Sequence, residues 1–245
     1  MLKYNNDYQY EMKRRINMRL VYSLIFIVAL ALIFTSSIRK HSRLFYLIAS
    51  IIATSTVIYE IFRLTLDIKL QGFIGEFEKA SMKGNFSIAF FILVMFAGAL
   101  NPRWKITKKL LGIRAEAAIL GSILIFPHCI MYLVRFIVKL LNYKPITTLY
   151  IIYLIVGLIA FIIMIPLFIT SLKKVRVKMQ YLEWKKLQRW AYPFYVLVYV
   201  HIVLSILNDD KVDILKLSIY SILFIGYFVL KLIKASKNNK ILLKK

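Results

Sequence analysis

Apolar runs of about twenty residues recur along the chain, and short polar, mostly basic segments separate them. An α-helix needs a run of this length to cross a hydrocarbon core of ~30 Å. The pattern predicts spans at about 20–38, 44–62, 86–100, 115–136, 147–170, 190–207 and 214–233. We therefore expect an all-α fold, a polytopic transmembrane helix bundle with six to seven spans.

Residues 64–84 interrupt this pattern between the second and third spans. Their charges are interspersed with three glycines, a composition typical of loops, so we expect an interfacial loop here. Just before it, Glu60 and Arg63 stand three positions apart, a spacing at which opposite charges on one helix face interact. We expect these two side chains to neutralise each other near the membrane interface.

The formal net charge of +24 on 245 residues does not indicate nucleic-acid binding, because the basic residues are scattered among short loops. Lysine and arginine in such loops orient the spans and contact anionic headgroups, so we expect membrane lipid, and no nucleic acid, as a partner. With seven spans, the loops after the first, third and fifth spans and the C-terminal tail lie on one side of the membrane and contain 21 Lys and Arg. The N-terminus and the remaining loops lie on the other side and contain 14. This bias predicts a multi-pass protein of the cell membrane whose C-terminus, a basic tail over 234–245, is cytoplasmic. We expect residues 1–245 to form a single transmembrane domain.

The N-terminal segment conflicts with this orientation, because its five basic residues fall on the outer side. Six full spans, with the first apolar run lying in the interface, would remove the conflict, and this alternative stays open. The first run is too long for a signal peptide and no small-residue cleavage site follows it, so we expect no cleavable leader. The single cysteine, Cys129, excludes an intrachain disulfide and any cysteine-based zinc or iron–sulfur centre.

Two of the three histidines, His128 and His201, lie inside apolar spans, whereas His41 lies in the charged run RKHSR. An ionisable residue inside a membrane helix points to function, although a buried histidine is also often a hydrogen-bonded structural residue. Both helices enter from the same side, and at 1.5 Å per residue His128 lies ~20 Å and His201 ~17 Å along its helix. Two imidazoles at one depth suit bis-histidine ligation of one haem iron.

Two further residues share the helix face of His128. Gly121, two turns earlier, leaves room for the edge of a porphyrin, or equally permits close helix packing. Arg135, two turns later, is placed to pair with a haem propionate, or extends to the interface as a solvated charge. The predicted cofactor-binding set is thus His128, His201, Gly121 and Arg135, with the two histidines as metal ligands and no catalytic residue.

The segments that carry these histidines are KKLLGIRAEAAILGSILIFPHCIMYL and WKKLQRWAYPFYVLVYVHI. They resemble the two haem-bearing helices of the ferric reductase-like transmembrane domain superfamily, which includes the haem-binding membrane subunit of the bacterial methionine sulfoxide reductase system and, distantly, NADPH oxidases. The resemblance implies a haem-binding core over 87–207. It also implies a b-haem subunit that passes electrons across the bilayer, with His128 and His201 as axial ligands.

Fuller members of that group carry a second histidine earlier on each of the two helices, for a second haem. In those places this chain has Gln188 and either Arg114 or Ala115. An amide is a poor ligand for haem iron, and a protonated arginine has no lone pair to give. The resemblance therefore implies one haem b.

The sequence predicts an oxidoreductase component without a nucleotide or substrate domain of its own, since it contains no G-x-G-x-x-G motif. Electrons are expected from membrane quinol or from a separate flavoprotein or reductase subunit, so that any flavin or quinone belongs to a partner. A membrane transporter or channel is the alternative, with structural intramembrane histidines and with Glu60 and Arg63 along the path. A scaffold that binds anionic lipid through the basic loops is a third possibility.

Overall fold

The computed structural model describes residues 19–66, 68–209 and 211–242, and for 238–242 only the course of the helix. Within these ranges the regular structure is helical and contains no strand, which confirms the all-α prediction. The helices are α1 (Arg19–Ile33), α2 (Thr35–Lys40), α3 (Ser42–Leu66), α4 (Gly72–Met82), α5 (Asn85–Ala99), α6 (Lys105–Gly112), α7 (Arg114–Leu141), α8 (Thr148–Ser171), α9 (Lys173–Arg176), α10 (Tyr181–Gln188), α11 (Ala191–Leu207) and α12 (Ile214–Leu242).

Five helical segments in the described ranges are long and apolar enough to cross a membrane: α3, α7, α8, α10 with α11, and α12. A sixth is available if α4 and α5, which meet at a bend of 59°, form one broken span. The first predicted span, 20–38, is divided at Phe34 between α1 and α2, so α1 is an apolar helix shorter than a full crossing. The chain is a multi-pass membrane protein. Most of the N-terminal segment, which decides between six and seven spans, lies outside the described residues.

Most of the described part of 64–84 is helical and is not the loop that its composition predicts. Gly72–Met82 is helix α4, and several of its residues, including Glu78 and Met82, are buried. Gly84 has φ +72°, a left-handed conformation that glycine adopts without steric cost, and it turns the chain into α5. A Cβ on Gly75 would lie 2.5 Å from the carbonyl oxygen of Leu70, so this glycine permits a close backbone contact. The glycines that predicted a loop therefore allow a bent pair of packed helices.

Helix α5 forms the centre of the bundle, with 13 of its 15 residues buried. A helix that is apolar all round belongs in a core. Helix α7 packs against α5 and α3, while α11 packs against α8. The last turn of α5 is tied to α12, because the ammonium of Lys234 donates to the carbonyls of Gly98 and Leu100 at 2.9 and 3.0 Å. This packing leaves a cavity between α5, α7, α8 and α11.

Two further predictions concern the ends of helices. The pair of Glu60 and Arg63 is confirmed, with 2.7 Å between the guanidinium and the carboxylate. The last span is longer than predicted, since α12 continues to Leu242 and the described part of 234–245 is helical.

Candidate functional site

His128 of α7 and His201 of α11 lie in contact. Their ring centroids are 6.1 Å apart and the ring planes cross at 86°. The two histidines that the sequence predicts at one depth are therefore neighbours in the fold. Aromatic rings of any kind pack edge to face at such distances. The hydrogen bonds of the ring nitrogens therefore decide what the pair is able to do.

Both imidazoles are held through the same nitrogen. Nδ1 of His128 lies 3.3 Å from the carbonyl oxygen of Met82, and Nδ1 of His201 lies 2.8 Å from that of Tyr153. A carbonyl oxygen only accepts, so each Nδ1 carries the proton and the lone pair of each neutral ring is on Nε2. Histidines that bind metals are commonly oriented in this way, by a hydrogen bond from the nitrogen that does not bind.

The two carbonyls are available for different reasons. Met82 is the last residue of α4, and the final carbonyls of a helix have no partner within it. Tyr153 lies inside α8, where Gly157, four residues later, has no side chain to cover its carbonyl. A Cβ on Gly157 would lie 2.7 Å from Nδ1 of His201, so the imidazole occupies the space that any other residue would fill.

A cavity of about 480 Å³ adjoins the two histidines. Sites that hold small molecules and cofactors usually measure ~300–1,000 Å³ and are mostly apolar. The apolar part of the lining includes Phe91, Ile125, Leu158, Phe161, Met164 and Phe194. Water is thus largely excluded from the neighbourhood of both Nε2 atoms.

The residues present fit a haem iron. Imidazole nitrogen binds transition metals at ~2.0–2.1 Å, so two rings on one metal have centres ~6 Å apart, close to the observed separation of 6.1 Å. Within the described ranges no three His, Cys, Asp or Glu side chains gather where they would hold a metal ion by themselves. A metal held by His128 and His201 needs its remaining ligands from a bound molecule, as a porphyrin provides them.

Gly121 lies away from this cavity. A Cβ at Gly121 would stand 3.0 Å from the Cβ of Phe90 and 3.1 Å from the ring of Phe91, both on α5. It does not line the cavity. The structure therefore places Gly121 in the close packing of α7 on α5, the alternative that the sequence left open, and gives it no contact with a cofactor.

Arg135 also does not line the cavity. Its guanidinium donates to the carboxylate of Glu60 at 2.7 Å, and Arg63 donates to the same carboxylate. Arg135 reaches the histidines only indirectly: it lies 5.3 Å above the ring centre of Tyr132, which is 4.4 Å from that of His128. The structure thus engages Arg135 with Glu60 and gives it no contact with the cavity in which the predicted propionate would lie.

The places at which a second pair of ligands would stand are occupied by internal contacts. Gln188 donates from its amide nitrogen to the hydroxyl of Thr170 at 3.0 Å. The guanidinium of Arg114 packs over Gly98, 3.6 Å from where a Cβ would be. His41 is exposed where α2 ends and does not line the cavity. Within the described ranges, the imidazoles that line the cavity are therefore those of His128 and His201.

Sequence reasoning missed three residues that position the histidines: Met82, Tyr153 and Gly157. The first two act through backbone carbonyls, which carry no side-chain signal. Gly157 did have one, since a glycine within a strongly apolar span marks a close approach of another group.

Residues 83–199 match the family described as ferric reductase like transmembrane component. The matched segment contains His128 and ends two residues before His201. The chain is also similar to an uncharacterized protein of Treponema pallidum (strain Nichols), with 31% identity over 161 residues. That match covers 64% of this chain and 44% of the relative, so the chain spans less than half of the relative's length.

Proposed function

Because residues 83–199 belong to the ferric reductase-like transmembrane family, we propose that this membrane protein transfers electrons through one haem b held between His128 and His201. The observation that carries the proposal is the hydrogen bonding of the two imidazoles. Each donates from Nδ1 to a backbone carbonyl, which leaves the lone pairs of both Nε2 atoms beside one apolar cavity.

Haem, when bound, supplies one-electron redox chemistry, and the chain's own residues set the conditions for it. Met82 and Tyr153 fix the tautomer and orientation of the ligands. The apolar lining excludes water, and burial is one of the means by which a protein sets a haem potential. Gly157 lets His201 sit close to α8, so the ligand is held rigidly between two packed helices.

The proposed electron donors are chosen by the motifs found in the sequence. No dinucleotide-binding motif is present, so the donor is membrane quinol or a separate flavoprotein or reductase subunit. Kinship with the haem-binding subunit of the methionine sulfoxide reductase system is compatible with this assignment. The distribution of basic residues supports a location in the cell membrane with the C-terminus in the cytoplasm.

Glu60 and Arg63, the charges that a transporter or channel would place along its path, are engaged with each other and with Arg135. No observation therefore favours the transport alternative over electron transfer.

A haem titration tests the proposal. Hemin added to the purified protein in detergent is expected to give a saturable Soret shift and the low-spin spectrum of two axial imidazoles, seen by electron paramagnetic resonance or magnetic circular dichroism. A His41→Ala variant serves as the control and should behave like the wild type. Absence of binding, or a high-spin spectrum at saturation, would show that the two histidines do not clamp a haem iron.

A further inference from the structure

The cavity beside the histidines has a charged end. Its lining includes three cations, one carboxylate and two neutral polar side chains: Arg19, Lys83, Lys216, Asp209, Asn85 and Tyr220. Lys83 interacts electrostatically with Arg19, Lys216 and Asp209, so these charges form one group. They come from the start of α1, the turn between α4 and α5, the segment after α11 and the first turn of α12.

The three cations differ in their partners. The guanidinium of Arg19 donates to the carboxylate of Glu76 at 2.7 Å, so its charge is balanced. In the part of the chain that the structure describes, neither the ammonium of Lys83 nor that of Lys216 has an ion-pair or hydrogen-bond partner. Lys83 is exposed although Met82 and Gly84 on either side are buried, and it is one of the residues that line the cavity.

Among the described residues of this end, one carboxylate, that of Asp209, stands against two ammonium groups that form no ion pair. Such an excess of positive charge beside an apolar cavity of a membrane protein is energetically unfavourable. An anionic ligand removes that cost, because charge-assisted hydrogen bonds to carboxylate are among the strongest a protein makes. The cavity therefore combines an apolar body, two nitrogen donors and a cationic end. This combination fits a planar apolar molecule that carries acidic side arms.

We propose that Lys83 and Lys216 bind the carboxylates of the molecule in this cavity. The inference rests on the proposed function, under which that molecule is haem and the carboxylates are its two propionates. Since Glu60 engages Arg135, the propionates are directed to the turn between α4 and α5 and the start of α12, and not to the Arg135 side of α7.

Two probes of different charge test this inference: hemin, and hemin dimethyl ester, in which both propionates are neutral. Each is titrated into the apoprotein in detergent, and the dissociation constant is measured. The wild type should bind hemin about ten-fold or more tightly than the ester, as the loss of a charged hydrogen bond implies. Lys83→Gln and Lys216→Gln should each weaken hemin binding by about ten-fold and leave ester binding unchanged. The double variant should no longer distinguish the two probes.

Matched variants test whether carboxylate binding depends on Lys83 itself or on any positive charge nearby. Lys79→Gln removes a charge one turn before Lys83, where Lys79 pairs with Glu76 at 3.2 Å, and should keep the discrimination. Lys83→Arg should discriminate between hemin and the ester as the wild type does, because it keeps the positive charge.

The outcomes distinguish a failure of the lysine assignment from a failure of the haem site. A double variant that discriminates as well as the wild type overturns the assignment of Lys83 and Lys216 while leaving the haem site intact. A wild type that binds neither probe with a bis-imidazole spectrum overturns the proposed function itself, and this inference with it.

Discussion

The guanidinium of Arg135 on α7 lies 2.7 Å from the carboxylate of Glu60 on α3, which Arg63 contacts at the same distance. Glu60 is 2% exposed, so this carboxylate is buried between the two helices. It fixes Arg135, which packs over Tyr132, and Tyr132 in turn packs on His128. The ion cluster thereby holds the part of α7 that carries one of the two histidines.

Replacing Glu60 with Gln should destabilise the protein by about 2–4 kcal/mol. Removal of one partner from a buried ion pair leaves uncompensated charge, at a typical cost of ~3–5 kcal/mol, and the partial exposure of both arginines reduces this figure. Their side chains are 34% and 29% exposed. Thermal unfolding in detergent measures the loss. Glu183→Gln, at an exposed position of α10, should leave the midpoint unchanged, and equal effects of the two variants would contradict the role of the cluster.

A methyl group at Gly157 should weaken haem binding by at least ten-fold. The Cβ of Gly157→Ala would stand 2.7 Å from Nδ1 of His201, so the ring must move and its bond to Tyr153 must lengthen or break. Losing this orienting bond typically costs 10- to 100-fold in metal affinity. Hemin titration gives the affinity. Gly226→Ala is the matched control, because a Cβ there meets nothing within 4 Å. Equal affinities for the two variants would mean that the position of His201 is immaterial.

Alanine at His128 or His201 should abolish the retention of haem during purification, because each change would remove one of the two histidines proposed to hold it. The cavity has no third imidazole in the described ranges to replace it. The absorbance ratio of the Soret band to the protein band measures retention, and size-exclusion chromatography checks that the variants are folded. His41→Ala should keep its haem. If both variants of the buried pair stayed red, the ligands would have to be sought elsewhere.

Haem content should be one per chain. Gln188 is hydrogen-bonded to Thr170 and Arg114 packs over Gly98, so the positions of a second ligand pair carry no free imidazole. A pyridine haemochrome assay against protein concentration measures the ratio. A value near two would refute the single site and direct attention to ligands outside His128 and His201.

A reporter fused after Lys245 should be active on the cytoplasmic side. The side that includes the C-terminus collects 21 Lys and Arg against 14 on the other, and such bias sets the orientation of membrane spans. Activity of a reporter that works only outside the cytoplasm would reverse the orientation of the bundle and move the charged end of the cavity to the inner face.

Much of the fold was predictable because hydropathy alone identifies apolar helices. The predicted spans at 86–100, 147–170 and 190–207 differ from α5, α8 and α11 by at most one residue at each end. Helix α4 was not predictable in the same way, because its glycines favour a loop locally and only packing against α3, α5 and α7 stabilises the helix.

The two histidines of the candidate site could be picked out from the sequence, whereas the residues around them could not. His128 and His201 stand out since ionisable residues are rare inside apolar spans. The partner of Arg135 could not be read from spacing, because Glu60 is 75 residues away in the chain and comes close only when α3 packs on α7. In the sequence, Lys83 lies in a predicted loop and Lys216 near the start of a predicted span, and each looks like an ordinary charge at the end of a helix. Only the fold places both beside one cavity.

The break between α4 and α5 makes the residue type at position 128 depend on that at position 84. Met82 offers its carbonyl to His128 because α4 ends there, and α4 ends there because Gly84 turns the backbone. An unbroken helix through this point would occupy that carbonyl with its own backbone N–H. Among natural homologues, position 84 should therefore vary together with position 128, so that lineages which lose the histidine are released from the glycine as well.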